Sequence, residues 1–300
     1  MHSDKIYLCV TLDHFIFIIN SRSGRNKNEV LHKIIEHETK ALHLSSDIHI
    51  TKQAQDVELL VKEYINTPDT YFIAVGGDGT VNVLAKNLVK NNGVMGILPK
   101  GSGNGLAKHL HIPKNIHHAL VRYSKKRIQT MDAITINDEW SFNVAGIGFD
   151  GYISSLFGKD GKRGMRNYMK LIHKEYKKYQ PINMEIAYGF FKIEKPLLQL
   201  AIANASQYGN NVLVAPNANL QDQLLDIAMI NKIPVAQLPA FFMKLFSGHV
   251  HRSKYYSAFK TNQLKVKTSE PAHFHTDGDG KGMADAFEIN LVPNCLRILY

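Results

Sequence analysis

The chain has little cysteine, no long apolar run and no leader-like start. Its two cysteines, Cys9 and Cys295, are too few for a disulfide framework, and both lie in apolar stretches, as buried thiols do in a reducing compartment. The longest apolar runs, such as residues 15–19, have the length of a strand, far below the roughly 20 residues of a membrane-spanning helix. The first residues lack the basic start and continuous apolar segment of a signal peptide. These absences predict a cytoplasmic protein without a membrane-spanning helix.

Acidic residues are also scarce relative to basic ones. The 36 lysines and arginines outnumber 26 aspartates and glutamates, which leaves a formal net charge of +10. This excess favours an anionic partner such as a nucleotide, a nucleic acid or an acidic membrane surface, although a merely solvated basic face gives the same count. The aromatic-plus-basic signatures of RNA- and DNA-binding modules are missing, so we predict no nucleic-acid partner.

The order of apolar patterns predicts an α/β fold followed by a β-rich one. Up to about residue 110, short strand-like runs alternate four times with stretches whose apolar residues recur at helical spacing. From about residue 132 the pattern becomes a series of short strand-like runs, interrupted by one helical region near 153–178. We predict an open α/β domain at residues 1–131 and a β-rich domain at 132–300. Whether the last strand returns to the first domain stays open.

Four polar, mostly glycine-rich loops follow the predicted strands of the first domain. They are residues 20–24, 51–56, 76–80 and 99–105. In an open α/β sheet such loops meet at one edge, where glycine lets backbone N–H groups turn toward phosphate oxygens. Tight turns with ordinary helix caps would give the same residue types, but four such loops at one edge favour a phosphate-binding site. Asp78 would then hold Mg²⁺ or act on a substrate hydroxyl.

These motifs resemble a known family in their order along the chain. GGDGT at 76–80, followed by ILPKGSGNGLAKHL at 97–110, is similar to the catalytic domain of the diacylglycerol kinase and sphingosine kinase superfamily, in its small bacterial form. Further segments match in the family's order: INSRSG at 19–24, FNVAGIGFDGYIS at 142–154, VLVAPNANLQDQLLDIAMI at 212–230 and TDGDG at 276–280.

The resemblance implies a nucleotide-binding α/β domain, a β-sandwich-like lipid domain and an ATP site in the cleft between them. Asp78 would be the acid nearest the γ-phosphate and its Mg²⁺. The resemblance places the following residues around ATP: Asn20, Ser21, Arg22, Ser23, Gly24, Thr51, Gly76, Gly77, Asp78, Gly79, Thr80, Asn82, Gly101, Ser102, Gly103 and Asn104.

Two positions depart from the family pattern. A structural Mg²⁺ of bacterial members would lie between the carbonyls of Asn219 and Leu224 and the carboxylate of Asp222, but the family's glycine is Gln223 here. The family's catalytic base, a glutamate, is Asp279 here, and its side chain is shorter by one methylene group. A shorter reach matters for positioned proton transfer. Asp279 is our first candidate for the base.

Asp277 and Asp78 are the alternatives for the catalytic base. Diacylglycerol is the substrate we place first, and a sphingoid base or ceramide is the alternative. Asp150 would pair with the amine of a sphingoid base, or it caps a turn. An NAD kinase and a nonenzymatic lipid- or nucleotide-binding protein are the remaining readings. A lipid kinase without a membrane span would work peripherally on an anionic membrane, and a homodimer is left open.

Overall fold

Strand and helix alternate through the first half of the chain. The computed structural model describes residues 13–21, 25–158 and 164–300. The first half comprises β1 (His14–Asn20), α1 (Arg25–Ala41), β2 (Ser45–Thr51), α2 (Ala54–Tyr64), β3 (Thr70–Gly76), α3 (Asp78–Asn91), β4 (Val94–Pro99), α4 (Gly105–His109) and α5 (Ile116–Tyr123).

The strands of this half form a parallel sheet in the order β2–β1–β3–β4. Residues 15–19 of β1 are all fully buried, as expected for a parallel strand that is covered on both faces. The register places Asn20 beside Thr51 and Gly76 beside Pro99. Because all four strands run in the same direction, the four polar loops that follow them open at one edge of the sheet.

The second half is mainly antiparallel. It comprises β5 (Ile128–Ile136), β6 (Glu139–Ser141), β7 (Val144–Gly148), α6 (Phe149–Leu156), α7 (Met165–Tyr176), β8 (Ile182–Tyr188), β9 (Phe191–Leu197), β10 (Gln199–Ala203), β11 (Leu225–Ile230), α8 (Leu238–Phe246), β12 (Tyr256–Thr261), β13 (Gln263–Thr276) and β14 (Asp279–Leu299). Its strands pair antiparallel in the order β12–β11–β10–β7–β13–β14, while β5 pairs with β14 and β8 pairs with β13.

The long last strand, β14, connects the two halves. Near its end, Arg297 and Ile298 pair in parallel with Val94 and Met95 of β4, so β14 extends the first sheet. The same strand pairs antiparallel with β5, which runs across the predicted boundary between residues 131 and 132. The predicted fold class, an α/β unit joined to a β-rich unit, is confirmed.

Helix α8 lies in a region for which the sequence patterns predicted only strands. Of its nine residues only Lys244 is charged, so its apolar side chains do not mark out a single face and the helical period cannot be recognised. The helical region predicted near 153–178 corresponds to α6 and α7. Within the described ranges, no helix is long and apolar enough to cross a membrane.

Candidate active site

The loops after β3 and β4 are in direct backbone contact. The N–H of Lys100 donates a hydrogen bond to the Gly76 carbonyl at 2.8 Å. A Cβ atom built on Gly101 would overlap the Cα atom of Gly77, and one built on Gly77 would lie 3.1 Å from the Cα atom of Gly101. Any side chain at either position would push the two loops apart. Part of the glycine pattern is therefore explained by the packing of one loop on the other.

Asp78 fixes these two loops to each other. Its carboxylate accepts hydrogen bonds from the N–H groups of Asn104 at 2.9 Å and Gly105 at 2.7 Å, at the start of α4. Burial raises the pKa of the Asp78 carboxyl, and the nearby Asp277 carboxylate raises it further, against the effect of the two amide donors. Asp78 therefore lies within electrostatic reach of an acid from the second half of the chain.

Gly79, beside Asp78, faces open space. A Cβ atom built on it would meet nothing within 4 Å, so this backbone is accessible at the N-terminal end of α3. The neighbouring Thr80 is buried, and its hydroxyl lies 3.4 Å from the side-chain amide of Asn20. Thr51 is also buried, with its hydroxyl donating to the Ile19 carbonyl at 3.3 Å. The open face of the site is thus formed by backbone at Gly79.

Asn104 shapes the second glycine loop from within. It adopts a left-handed conformation with φ of 54°, and its side chain bonds both the N–H and the carbonyl of Gly101. Gly103 lies against the Asp78 carboxylate, and its carbonyl accepts a hydrogen bond from the N–H of Asn210. The second half of the chain therefore closes over this loop.

The other residues predicted to surround the nucleotide differ in their exposure and contacts. Ser102 is exposed on the second loop. The carbonyl of Ser21 accepts a hydrogen bond from the Asn28 side chain at 3.1 Å. Three predicted residues lie outside the described part of the chain: Arg22, Ser23 and Gly24.

Asp277 lies at the turn between β13 and β14 and joins the two halves. Both Asp277 and Gly278 have positive φ, 52° and 83°, as the central residues of a tight hairpin turn of the Asp-Gly type require. The Asp277 carboxylate accepts hydrogen bonds from the Asn82 amide at 2.7 Å, the Ser141 hydroxyl at 2.6 Å and the N–H of Asn143 at 2.9 Å. Asn82 belongs to α3, so its side chain is directed at the second half.

Asp279 lies at the other end of the same turn and is exposed. Its carboxylate forms an ion pair with Lys281 at 2.8 Å. Lys281 also lies 3.5 Å from Glu139, which in turn pairs with Lys86 of α3 at 3.2 Å. Burial acts against the charged ammonium, yet the two carboxylates hold the pKa of Lys281 above its ordinary value. Of the two acids of this turn, Asp279 has the more accessible carboxylate.

Two family models cover nearly the whole chain. Residues 14–136 match the diacylglycerol kinase catalytic domain. Residues 144–300 match the YegS C-terminal NAD kinase beta sandwich-like domain. The chain belongs to the diacylglycerol kinase superfamily of lipid kinases. The sequence resemblance is thereby confirmed, and the protein is an enzyme that phosphorylates a lipid.

Relatives of this lipid kinase match it over nearly its whole length. A "Probable lipid kinase YegS-like" of Yersinia enterocolitica serotype O:8 is 27% identical, over 95% of this chain and 96% of the relative. A protein of the same description from Pectobacterium atrosepticum is 27% identical, over 94% of each. A crystal structure described as a diacylglycerol kinase, from Bacillus anthracis str. Sterne, superposes with a TM-score of 0.72 at 20% identity, over 96% of this chain and 97% of that one. That structural likeness shows the fold alone.

Asp150 of the lipid kinase is buried among polar partners. Its carboxylate accepts hydrogen bonds from the Tyr208 hydroxyl at 2.8 Å and from the N–H of Gly151 at 2.9 Å, and it lies 3.3 Å from Nε2 of His275. Nδ1 of His275 accepts a hydrogen bond from the N–H of Gly278, so the same histidine contacts the turn that carries the two candidate acids. The contacts of Asp150 are those of a structural acid.

The loop predicted to hold a structural Mg²⁺ has a different cation beside it. One Asp222 oxygen lies 2.7 Å from the Lys260 ammonium, and the other accepts the N–H of Leu224 at 3.1 Å. The Asn219 side chain accepts a hydrogen bond from the N–H of Gln221. Gln223 has φ of 57°, a left-handed conformation that glycine adopts more readily than other residues. Lys260 is already paired with the Asp222 carboxylate, so the donor set fits a divalent metal poorly.

Sequence reasoning did not find the donors that hold Asp277. Ser141 and Asn143 lie 136 and 134 residues before it in the chain, within a segment that reads as an ordinary strand and turn. Tyr208 and His275, which hold Asp150, were missed for the same reason. No local signal marks these residues, because their role depends on pairings between distant strands.

Proposed function

We propose that this lipid kinase transfers the γ-phosphate of ATP to the free hydroxyl of a diacylglycerol and so forms phosphatidic acid. The proposal is supported mainly by one observation: acidic residues from the first and second halves of the chain lie near each other. Asp78, at the loop after β3, is within electrostatic reach of Asp277, and Asn82 of α3 donates directly to Asp277 at 2.7 Å. The Asp277–Asp279 turn therefore lies beside α3, whose first turn carries Asp78, and we place the cleft between that turn and the glycine loops.

The nucleotide would bind on the glycine-loop side of this cleft. The open backbone at Gly79 and the N-terminal end of α3 suit phosphate oxygens. Mg²⁺ in kinases is usually held by one or two carboxylates together with substrate phosphates, and Asp78 supplies a carboxylate at this position. The described residues contain no group of three or more histidines, cysteines or acids placed to hold a metal ion by themselves. When bound, Mg²⁺ would neutralise charge on the transferred phosphate.

The lipid hydroxyl would be positioned by the Asp277–Asp279 turn. The lone pairs of Asp277 are engaged by Asn82, Ser141 and Asn143, so Asp277 shapes the turn and leaves proton acceptance to Asp279. Phosphoryl transfer depends mainly on in-line placement and charge stabilisation, with a carboxylate accepting the hydroxyl proton. Asp279 must separate from Lys281 to do so, because that cation competes for the same oxygen.

Replacing Asp279 tests its role as base. We expect Asp279→Asn to lower kcat by about a hundredfold or more, since a positioned base contributes on that scale. Asp279→Glu should keep or raise kcat, because the longer side chain reaches further. Asp285→Asn, at an exposed acid of the same strand, serves as the matched control and should have near-normal kcat. Near-normal kcat in Asp279→Asn would refute the assignment.

Buried Asp150 supports diacylglycerol over a sphingoid base. Recognition of a lipid amine needs a carboxylate that the amine can reach, whereas Asp150 is buried and engaged by Tyr208, Gly151 and His275. A neutral glycerolipid needs no such contact. The excess of basic residues supports a peripheral enzyme of the cytoplasm that works at an anionic membrane.

An acceptor panel tests the proposed activity. The protein is incubated with Mg²⁺, ³²P-labelled ATP and either diacylglycerol, sphingosine, ceramide or NAD, and the products are separated by thin-layer chromatography. We expect label in phosphatidic acid and far less with the other acceptors. Label mainly in sphingosine phosphate, ceramide phosphate or NADP would reassign the substrate. Absence of label in every acceptor would support a nonenzymatic binding protein.

A further inference from the structure

Helix α8 is apolar on its outer as well as its inner face. Phe241 and Leu245 point inward and are buried. On the other side, Met243 is 72% exposed and Phe246 is 46% exposed, and Val235, just before the helix, is 45% exposed. We call Val235, Met243 and Phe246 the α8 patch.

A helix on the surface of a globular protein normally presents polar residues to water. An exposed patch of large apolar side chains marks a surface that binds a partner. The α8 patch is such a surface, and the charges around it indicate which partner it fits.

The chain around the α8 patch contains no acid. Between Asp226 and Glu270 there is no aspartate or glutamate, whereas seven lysines and arginines and two histidines occur there. Lys260 and Lys265 are paired with carboxylates elsewhere. Lys244 donates a hydrogen bond to the Arg252 carbonyl at 3.0 Å and Lys254 lies over the Tyr255 ring, but within the described part of the chain neither they nor Arg252 form an ion pair with a carboxylate. The patch is therefore bordered by uncompensated positive charge.

Helix α8 is connected to the second glycine loop through a short stretch of chain. The N–H of Leu213 donates a hydrogen bond to the Leu245 carbonyl of α8 at 3.1 Å. Three residues earlier, the N–H of Asn210 donates to the Gly103 carbonyl of the second glycine loop. Three residues span at most about 11 Å, so the connection from α8 to that loop is short. Helix α8 therefore lies near the second glycine loop.

We infer that α8 and its basic turn at residues 249–254 dock the enzyme on an anionic lipid bilayer. Apolar side chains entering the interface beside lysine and arginine that meet anionic head groups are the two components of peripheral membrane binding. The inference rests on the proposed function in one respect: the enzyme needs to dock because its proposed substrate is dissolved in the membrane.

A second copy of the chain fits the α8 patch less well than a membrane. Two copies that met through α8 would bring their basic turns together, and like charges across an interface are unfavourable. The exposed hairpin tip at Phe190 and Phe191 is another apolar site. Its neighbour Lys192 is paired with Glu185 at 2.9 Å, and Glu194 is exposed nearby, so the tip lacks the uniform positive border.

Vesicle binding tests the inference. Phosphatidylcholine vesicles with and without phosphatidylglycerol are mixed with the full chain, and bound protein is measured by flotation. We expect binding that requires phosphatidylglycerol and weakens with added salt. The double variant Met243→Ser/Phe246→Ser should lower the partition coefficient by about tenfold or more. Lys244→Gln/Arg252→Gln/Lys254→Gln should remove most of the salt dependence.

Matched controls separate docking from general loss of surface hydrophobicity. Val30 and Leu59, on α1 and α2, are 58% and 64% exposed, so Val30→Ser/Leu59→Ser removes similar apolar area elsewhere and should leave binding unchanged. Equal loss in this control, loss only in Phe190→Ser/Phe191→Ser, or unchanged binding of the α8 double variant would overturn the inference. A shift in sedimentation of the α8 variant without lipid would indicate self-association instead and would also overturn it.

Two substrate forms distinguish this inference from the proposed activity. With short-chain diacylglycerol in detergent micelles, the α8 double variant should retain wild-type kcat, because the cleft is intact. With diacylglycerol in anionic vesicles, its rate should fall about tenfold, in step with binding. If neither form is phosphorylated by the wild type, the proposed substrate fails, while the vesicle-binding result still decides whether α8 docks.

Discussion

Asp78→Asn is expected to lower kcat by about a hundredfold to a thousandfold, or more. The carboxylate that would face the nucleotide phosphates and their Mg²⁺ is lost. The backbone N–H groups of Asn104 and Gly105 both donate hydrogen bonds to the Asp78 carboxylate. In the variant, the NH₂ group of asparagine would face one of these N–H groups, so two donors would meet without an acceptor. Rates of labelled phosphatidic acid formation over a range of ATP concentrations measure kcat and KM separately.

A matched control separates loss of chemistry from loss of structure in that variant. Asp132 is a buried acid whose carboxylate likewise accepts two backbone N–H groups, those of Gln223 at 2.9 Å and Asn294 at 2.8 Å. Asp132→Asn should lower the free energy of unfolding by about 1–3 kcal/mol and leave kcat of the folded enzyme near normal. Far-UV circular dichroism should show that Asp78→Asn remains folded. Near-normal kcat in Asp78→Asn would refute the role of Asp78.

Asp277→Ala is expected to produce the largest loss of stability. The change leaves the Ser141 hydroxyl and the N–H groups of Phe142 and Asn143 without this acceptor, and the Asn82 amide keeps only the Trp140 carbonyl. Leaving such buried donors unsatisfied should lower the free energy of unfolding by about 3 kcal/mol or more. Urea titration followed by fluorescence of the single tryptophan, Trp140, measures the change.

The control for Asp277→Ala is an exposed acid of a nearby turn. Asp138, between β5 and β6, is exposed, and Asp138→Ala should change the free energy of unfolding by less than about 0.5 kcal/mol. Equal effects of the two substitutions would contradict the account of Asp277 as the residue that holds the β13–β14 turn against α3.

The parts of the fold that could be predicted were those set by local pattern. Strand-length apolar runs alternating with helical periods identified the parallel sheet, and parallel strands then required the four loops after them to share an edge. The pair Asp277-Gly278 between two strand-like runs is also a local signal for a tight hairpin turn, because such a turn requires positive φ at both residues.

The remainder depends on contacts between distant positions. The pairing of Arg297 with Val94 brings the last strand to the first sheet across 203 residues, and no local pattern encodes it. The overlap that a side chain at Gly101 would make with Gly77 is a property of two loops together. Helix α8 was missed because it is apolar on both faces, and that same property makes it the candidate membrane-docking surface.

The most direct test of the account compares lipid phosphorylation with ATP consumption. Wild-type enzyme is given ³²P-labelled ATP, Mg²⁺ and diacylglycerol in mixed micelles, and phosphatidic acid and ADP are measured in the same samples. We predict that labelled phosphatidic acid and ADP accumulate in equal amounts, and that the rates of both fall by about a hundredfold or more with Asp78→Asn. ADP formed without labelled lipid, or no reaction by the wild type, would contradict the assignment of this protein as a diacylglycerol kinase.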